Sequence, residues 1–438
     1  MIFSSLDLAP EIQQALDECG YSQMTAIQEQ AIIPARRGRD ILANAQTGTG
    51  KTAAFALPIL QQMHDKAKPL LAGSPRALIL TPTRELAEQL TETINRYAQF
   101  LPLTITAVFG GVKMSAQEKK IKAGIDIVIA TPGRLLEHME QGNVKLSSVD
   151  FVVLDEADRM LDMGFIADVQ ALLEKTPDKR QTLLFSATIS QPVKALAKKL
   201  LSNHLLVSVA KQNAIADTVE HVAYPVGEHQ KAELFVDLLE QHNWFKVLVF
   251  TSTRAQADEL MAKLKPAKIK AAICHGDKSQ GARRRAIADF KADKIQVLVA
   301  TEVAARGLDI QSLDHVVNFN LPYLPEDYVH RIGRTGRAGS RGQAISFVSR
   351  EEERTLNNIE RLIGERIKRI KVPGYSVGSR DTILNNLSER NRPAKSNRAS
   401  KTRILISITP CFRYSSNETE SQYMVKIYHN TIIVRALH

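Results

Sequence analysis

The feature that most constrains this chain is a repeated grammar: a short apolar run ends abruptly in small or polar residues, and a helical segment follows. In the first half the runs are DILANA (40–45), RALILTPT (76–83), DIVIATP (126–132), FVVLDEA (151–157) and QTLLFSAT (181–188). Continuous Val, Ile and Leu without strict alternation read as strands buried on both faces, and their alternation with helices implies a parallel sheet. KVLVFTST, KAAICHGD, IQVLVATE, DHVVNFN and GQAISFVS repeat the pattern between 246 and 349. The chain therefore reads as two copies of one α/β architecture. In such sheets ligands sit beyond the carboxyl ends of the strands, where the polar residues of these runs fall.

The segment 210–217 is short, polar and aperiodic, and it reads as a linker between a first domain (1–209) and a second (218–371). Beyond lies a tail, 372–438. Its stretch SERNRPAKSNRASKTR (388–403) is basic and nearly free of apolar side chains, so burial cannot offset its ordering entropy and disorder is expected. RILISITPCF and MVKIYHNTIIVRAL, further on, are apolar and β-prone. The N-terminus has neither a basic n-region nor an apolar h-region, and no stretch approaches the roughly 20 apolar residues of a membrane span. Cys19, Cys274 and Cys411 are odd in number and widely separated, which suggests neither disulfides nor zinc and fits a reducing cytoplasm.

The net charge of +11 favours a polyanionic partner, although a solvated basic surface accounts for that charge equally well. AQTGTGKT (45–52) is more specific, because it follows a strand-like run and precedes a helical one, the context of a phosphate-binding loop. Ala45, Gln46, Thr47, Gly48, Thr49 and Gly50 form the turn, with glycines that let backbone N–H groups point at phosphate oxygens. Lys51 can then reach the β and γ phosphates, and the Thr52 hydroxyl can hold Mg²⁺. The strict pattern has Gly where this chain has Ala45. FVVLDEAD places Asp155 and Glu156 at the carboxyl end of a strand, where Asp155 suits Mg²⁺ and Glu156 the attacking water.

Asp155-Glu156-Ala157-Asp158 resembles the tetrapeptide that names the DEAD-box RNA helicases, and other motifs of that family occur in the same order. GYSQMTAIQ (20–28) is similar to the Q motif, PTREL (82–86) to motif Ia, Gly110-Gly111 to the GG element and TPGR (131–134) to motif Ib. SAT (186–188) is similar to motif III, ARGLD (305–309) to motif V and HRIGRTGR (330–337) to motif VI. DEADRMLDMGF and HGDKSQGAR look like the RhlE type of bacterial member. The resemblance covers residues 3–371 and implies two tandem RecA-like domains, each a mostly parallel sheet flanked by helices, followed by a disordered C-terminal tail.

The same resemblance implies roles. Phe3, Tyr21, Thr25 and Gln28 would hold adenine and support the phosphate loop, and Asp309 would touch the ribose. Arg334 and Arg337 would reach the γ phosphate from the second domain, completing a catalytic set with Lys51, Asp155 and Glu156. Asp158, Ser186, Thr188 and His330 would couple the domains. Pro82, Thr83, Arg84, Gly111, Thr131, Pro132, Gly133, Arg134, Arg283 and Thr301 would hold a sugar-phosphate backbone. Arg284 and Arg285 read instead as a solvated helix face, and Arg331 as a salt-bridge residue. Glu302 stands where many relatives have Asp, and Met24 where Pro is common. The implied activity is ATP-dependent unwinding of short RNA duplexes or remodelling of RNA–protein complexes. An ATP-gated RNA clamp with little unwinding shares every motif, and a DNA helicase is a third reading. Implied partners are ATP, Mg²⁺, single-stranded RNA, short duplexes, and ribosomal or RNA-decay proteins, for a cytoplasmic monomer with no membrane contact.

Overall fold

Seven parallel strands make the first sheet: β1 (Ile41–Asn44), β2 (Ala77–Leu80), β3 (Ile105–Val108), β4 (Ile127–Ala130), β5 (Phe151–Leu154), β6 (Gln181–Ser186) and β7 (Leu205–Ser208). Seven more make the second: β8 (Val219–Pro225), β9 (Val247–Thr251), β10 (Ala271–Cys274), β11 (Val297–Thr301), β12 (His315–Asn318), β13 (Gly342–Val348) and β14 (Lys368–Arg369). The orders are β3-β4-β2-β5-β6-β1-β7 and β10-β11-β9-β12-β13-β8-β14. Replacing each strand of the first series by the one seven places later gives the second, so the duplicated architecture expected from the sequence is present. This computed structural model describes residues 1–45, 48–209, 219–305, 310, 313–336 and 342–377, together with two strands of the tail.

The continuous apolar runs are explained by burial on both faces. Ile41, Ala43, Ile79, Ile129, Val153 and Phe185 face one core, while Leu42, Leu78, Leu80, Val128, Val152 and Leu184 face the other. The second sheet divides similarly, Val247, Val249 and Val299 on one side and Leu248, Phe250 and Leu298 on the other. Four strands have no counterpart among the expected runs: β3, β7, β8 and β14. β3, β7 and β14 lie at sheet edges, where β3 and β7 are buried on alternate residues or less and β14 is exposed. β8 carries polar Glu220 and His221 within its length.

β1 is followed by helix Lys51–Asp65, and β8, which holds the equivalent place in the second sheet, is followed by helix Lys231–His242. Lys231 is fully buried, its Nζ 2.6 Å from a carboxylate oxygen of both Glu228 and Glu352. The second domain continues past its expected end at 371: Val372 and Tyr375 pack on its core, and the Tyr375 hydroxyl donates to Asp237 Oδ2 at 2.5 Å.

The linker 210–217 and tail residues 378–422 lie outside the described residues. Strands β15 (Tyr423–Tyr428) and β16 (Thr431–Ala436) pair antiparallel, with Tyr423 opposite Ala436 and Tyr428 opposite Thr431. Both strands fall in the stretch read from sequence as apolar and β-prone, and their β-branched and aromatic content suits pairing.

Candidate active site and nucleic-acid cleft

The sheet order fixes how the motifs lie beside one another. Along the carboxyl edge of the first sheet, β5, β6 and β1 are adjacent, with Leu154 opposite Leu184 and Ser186 opposite Asn44. The ends leading to Asp155, Ala187 and Ala45 are therefore neighbours. β4 and β2, which lead to Thr131 and Thr81, lie on the other half of the same edge. One end of the sheet thus presents a phosphate loop and acids side by side, with a separate set of polar turns next to them.

Gly48 and Gly50 have φ of +84° and +92°, the left-handed region that L side chains avoid. A Cβ on Gly50 would collide with Gln28 Nε2 and come within 2.9 Å of Thr25 Oγ1. Thr25 and Gln28 form a capping box at the start of helix Ala26–Arg36. Gln28 Oε1 accepts from the Thr25 N–H at 2.8 Å and its Nε2 donates to Gly50 O at 3.1 Å. An amide has two donors and two acceptor sites, so one of each remains for a ligand. Ala45 replaces the usual Gly without strain, since its N–H extends the β1–β6 ladder to Ser186 O at 2.9 Å and its methyl is buried in the core. Gln46 and Thr47 lie outside the described residues.

Lys51 opens the following helix at 6% exposure, with Nζ 3.3 Å from Asp155 Oδ1 and, among the described residues, no hydrogen-bond partner of good geometry. Burial works against its charge, but Asp155, Glu156 and Asp158 outweigh burial and raise its pKa. Glu156 is buried and has φ of +56°, a strained backbone for a residue with a Cβ, where the chain turns from β5 into helix Ala157–Asp162. Burial raises the Glu156 pKa, and Lys51 and Arg334 only partly oppose it. Asp158 Oδ2 accepts from both the N–H and the hydroxyl of Thr188 at 3.0 Å, and Ser186 Oγ donates to Thr188 O at 2.7 Å. These three residues bind the acidic segment to β6 inside the first domain.

Arg334 comes from the second domain, is 6% exposed, and acts electrostatically on Glu156. His330 is half-buried in the last turn of helix Pro325–Ile332. Arg337 and Asp309 lie outside the described residues. Phe3 is 2% exposed and stacked on half-buried Tyr21, with centroids 5.8 Å apart, and it packs against the core beside the other residues expected at the adenine.

Beside the acids, both domains line a cleft of about 740 Å³. Pro82, Thr83, Arg84, Thr131, Gly133, Arg134, Arg283 and Thr301 all line it, and Gly111 and Pro132 adjoin it in sequence. Arg84 lies over Gly111, whose φ is +80° and whose added Cβ would collide with the guanidinium. Arg134 donates to Val112 O at 3.0 Å and pairs with Glu137 at 2.8 Å. Arg283 pairs with buried Glu85 of the other domain at 2.7 Å, while its Nε has no hydrogen-bond partner among the described residues. Arg284, read from sequence as solvated, donates through Nε to Glu88 of the first domain at 3.0 Å. Sequence reasoning also missed Ser252, Thr253, Arg254 and Gly276 in the lining, although the polar ends of KVLVFTST and KAAICHGD were the available signal. Gly111→Ala is expected to displace Arg84 and weaken RNA binding severalfold, with ATP affinity in the absence of RNA unchanged; filter binding and nucleotide titration check both.

The DEAD/DEAH box helicase profile matches residues 25–196, and the helicase conserved C-terminal domain profile matches 230–339. The chain is 40% identical over 371 residues to the DEAD-box ATP-dependent RNA helicase RhpA of Helicobacter pylori, covering 85% of this chain and 74% of that one. It is 41% identical over 370 residues to the ATP-dependent RNA helicase RhlB of Pseudomonas syringae, covering 83% and 93%. Saccharomyces cerevisiae Dbp5 bound to RNA and ADP BeF3 superposes with a TM-score of 0.76 at 30% identity, over 89% of this chain and 99% of that one. With phosphate loop, acidic strand end and second-domain arginine on one seam, and with these matches over most of its length, this chain belongs to the DEAD/DEAH box helicase family.

Proposed function

We propose that this protein is an ATP-dependent RNA helicase that grips the RNA backbone without reading bases and unwinds short duplexes locally. One observation carries the reading: Lys51, Asp155 and Glu156 of the first domain face Arg334 of the second, beside a cleft that both domains line. Lys51 and the loop amides hold the ATP phosphates, and the remaining donor and acceptor of Gln28 meet the adenine edge. The buried, acid-rich pocket around Asp155, together with the Thr52 hydroxyl, suits Mg²⁺, which when bound neutralises charge on the phosphate oxygens. Water attacks the γ phosphorus, Glu156 takes its proton, and the bond to the ADP oxygen breaks. Arg334 and Arg337 stabilise the charge that develops on the γ oxygens.

Because these groups come from two domains, ATP and RNA favour the same closed state and each raises affinity for the other. Cleft residues Arg84, Arg134 and Arg254, with helix N-terminal amides, suit phosphates rather than base edges. The segments DEADRMLDMGF and HGDKSQGAR support placement in the RhlE-type subgroup. A cytoplasmic monomer working with ribosomal or RNA-decay proteins completes the reading. Among the described residues no helix is long and apolar enough to cross a membrane.

A short-duplex strand-displacement assay tests the proposal. Displacement should require ATP and disappear in Lys51→Ala. Tight ATP-dependent RNA binding without displacement would make the protein a clamp, and equal stimulation of ATPase by DNA would make it a DNA helicase.

A further inference from the structure

One contact on the domain seam serves neither the phosphates nor the cleft. Arg159 lies in helix Ala157–Asp162, which begins directly after Glu156, and Asp327 lies in helix Pro325–Ile332, which ends just before Arg334. Their side chains form a hydrogen-bonded ion pair across the seam, at 3% and 6% exposure. Arg159 Nη1 also donates to Asp162 Oδ2 at 3.0 Å, so it keeps a carboxylate partner in its own helix whatever the second domain does. Burial opposes the Arg159 charge, but Asp327, Asp158 and Glu302 outweigh it.

The second domain holds its side of this contact firmly. Arg331 pairs with Glu302, donates to Asn318 Oδ1 at 3.0 Å and Asn320 O at 2.7 Å, and lies over the Phe250 ring at 5.0 Å. The expectation of a salt-bridge role for Arg331 fits, but the residue is buried. Glu302, with its extra methylene, reaches that arginine while still acting on Arg159.

A charge pair buried between two bodies contributes only when they meet, and leaving one member buried alone is costly. We propose that Arg159 and Asp327 are positioning residues that latch the closed state, tying the helix after the base to the helix before the finger so that Arg334 is held against Glu156. This rests on the reading of Arg334 as a γ-phosphate ligand.

The test is a double-mutant cycle in the full chain with two readouts: domain closure by energy transfer between dyes on the two domains, with a non-hydrolysable ATP analogue and oligouridine, and RNA-stimulated ATPase. Asp327→Asn and Arg159→Ala should each raise the RNA concentration for half-maximal closure by about tenfold and lower kcat similarly. The double variant should be no worse than either single one, and ATP affinity without RNA should change by less than about twofold. Arg159→Lys keeps the charge and should recover part of the closure. Unaltered closure in Asp327→Asn, or effects that multiply in the double variant, overturn the latch. If Arg159→Ala fails to fold, Asp327→Asn and Arg159→Lys decide the matter. Arg334→Ala separates the two ideas: normal hydrolysis in that variant sinks the finger, while the closure cycle still reports on the latch.

Discussion

Glu156→Gln should lower RNA-stimulated ATP turnover by about 10²- to 10⁴-fold while ATP and RNA still bind, because the amide keeps the shape of the side chain but cannot take a proton from water. The wild-type pH profile carries a second signature. Burial raises the Glu156 pKa above the usual carboxylate range, and a base works only when deprotonated, so kcat should fall as pH drops through that raised value. The acid limb should be absent from the residual activity of the variant. The sign for stability is opposite: a carboxyl with raised folded-state pKa contributes stability at low pH that is lost as pH rises through that pKa. Glu156→Gln, neutral throughout, should therefore melt no lower than wild type near neutral pH. Phosphate-release kinetics and thermal melts across pH check both statements, and normal turnover would remove Glu156 as the base.

Arg334→Ala should cost about 10³- to 10⁵-fold in single-turnover hydrolysis, the scale at which a guanidinium stabilises a transferring phosphoryl group. Lys should rescue little, since it lacks the planar fork that meets two oxygens at once. The Arg334 charge also lowers the Glu156 pKa, so its removal should move the acid limb to higher pH. A variant that hydrolyses normally, or whose acid limb stays in place, would separate Arg334 from the acids.

The central strands were legible because Val, Ile and Leu runs such as FVVL and VLVAT are buried on both faces, a requirement that leaves a mark on every residue. Edge strands such as Leu205–Ser208 satisfy that requirement on alternate residues at most and left no such mark. The clustering of Lys51, Asp155 and Glu156 was readable because small turns and acids at strand ends have few structural uses. Charges that meet across the seam were not. Arg159 and Asp327 stand far apart in sequence, and each sits on a helix where a charged side chain ordinarily reads as solvated. The partners of Arg283 and Arg284 were hidden for the same reason, since Glu85 and Glu88 become their neighbours only through the tertiary fold, although Arg283 does line the cleft and Arg284 does stay exposed. The packing of Phe3 on Tyr21 was not legible, because resemblance fixes a position in the chain but not the direction of a side chain.

Lys231 occupies in the second sheet the place that Lys51 has in the first, opening the helix after the equivalent strand. The two differ in what surrounds the ammonium. Glu228 and Glu352 each place a carboxylate oxygen 2.6 Å from the Lys231 ammonium, a built-in counter-anion at the position where the other copy would grip a nucleotide. An ammonium already matched by two carboxylates of its own domain has little charge left to offer a phosphate, so the equivalent seat of the second sheet is filled by the chain itself.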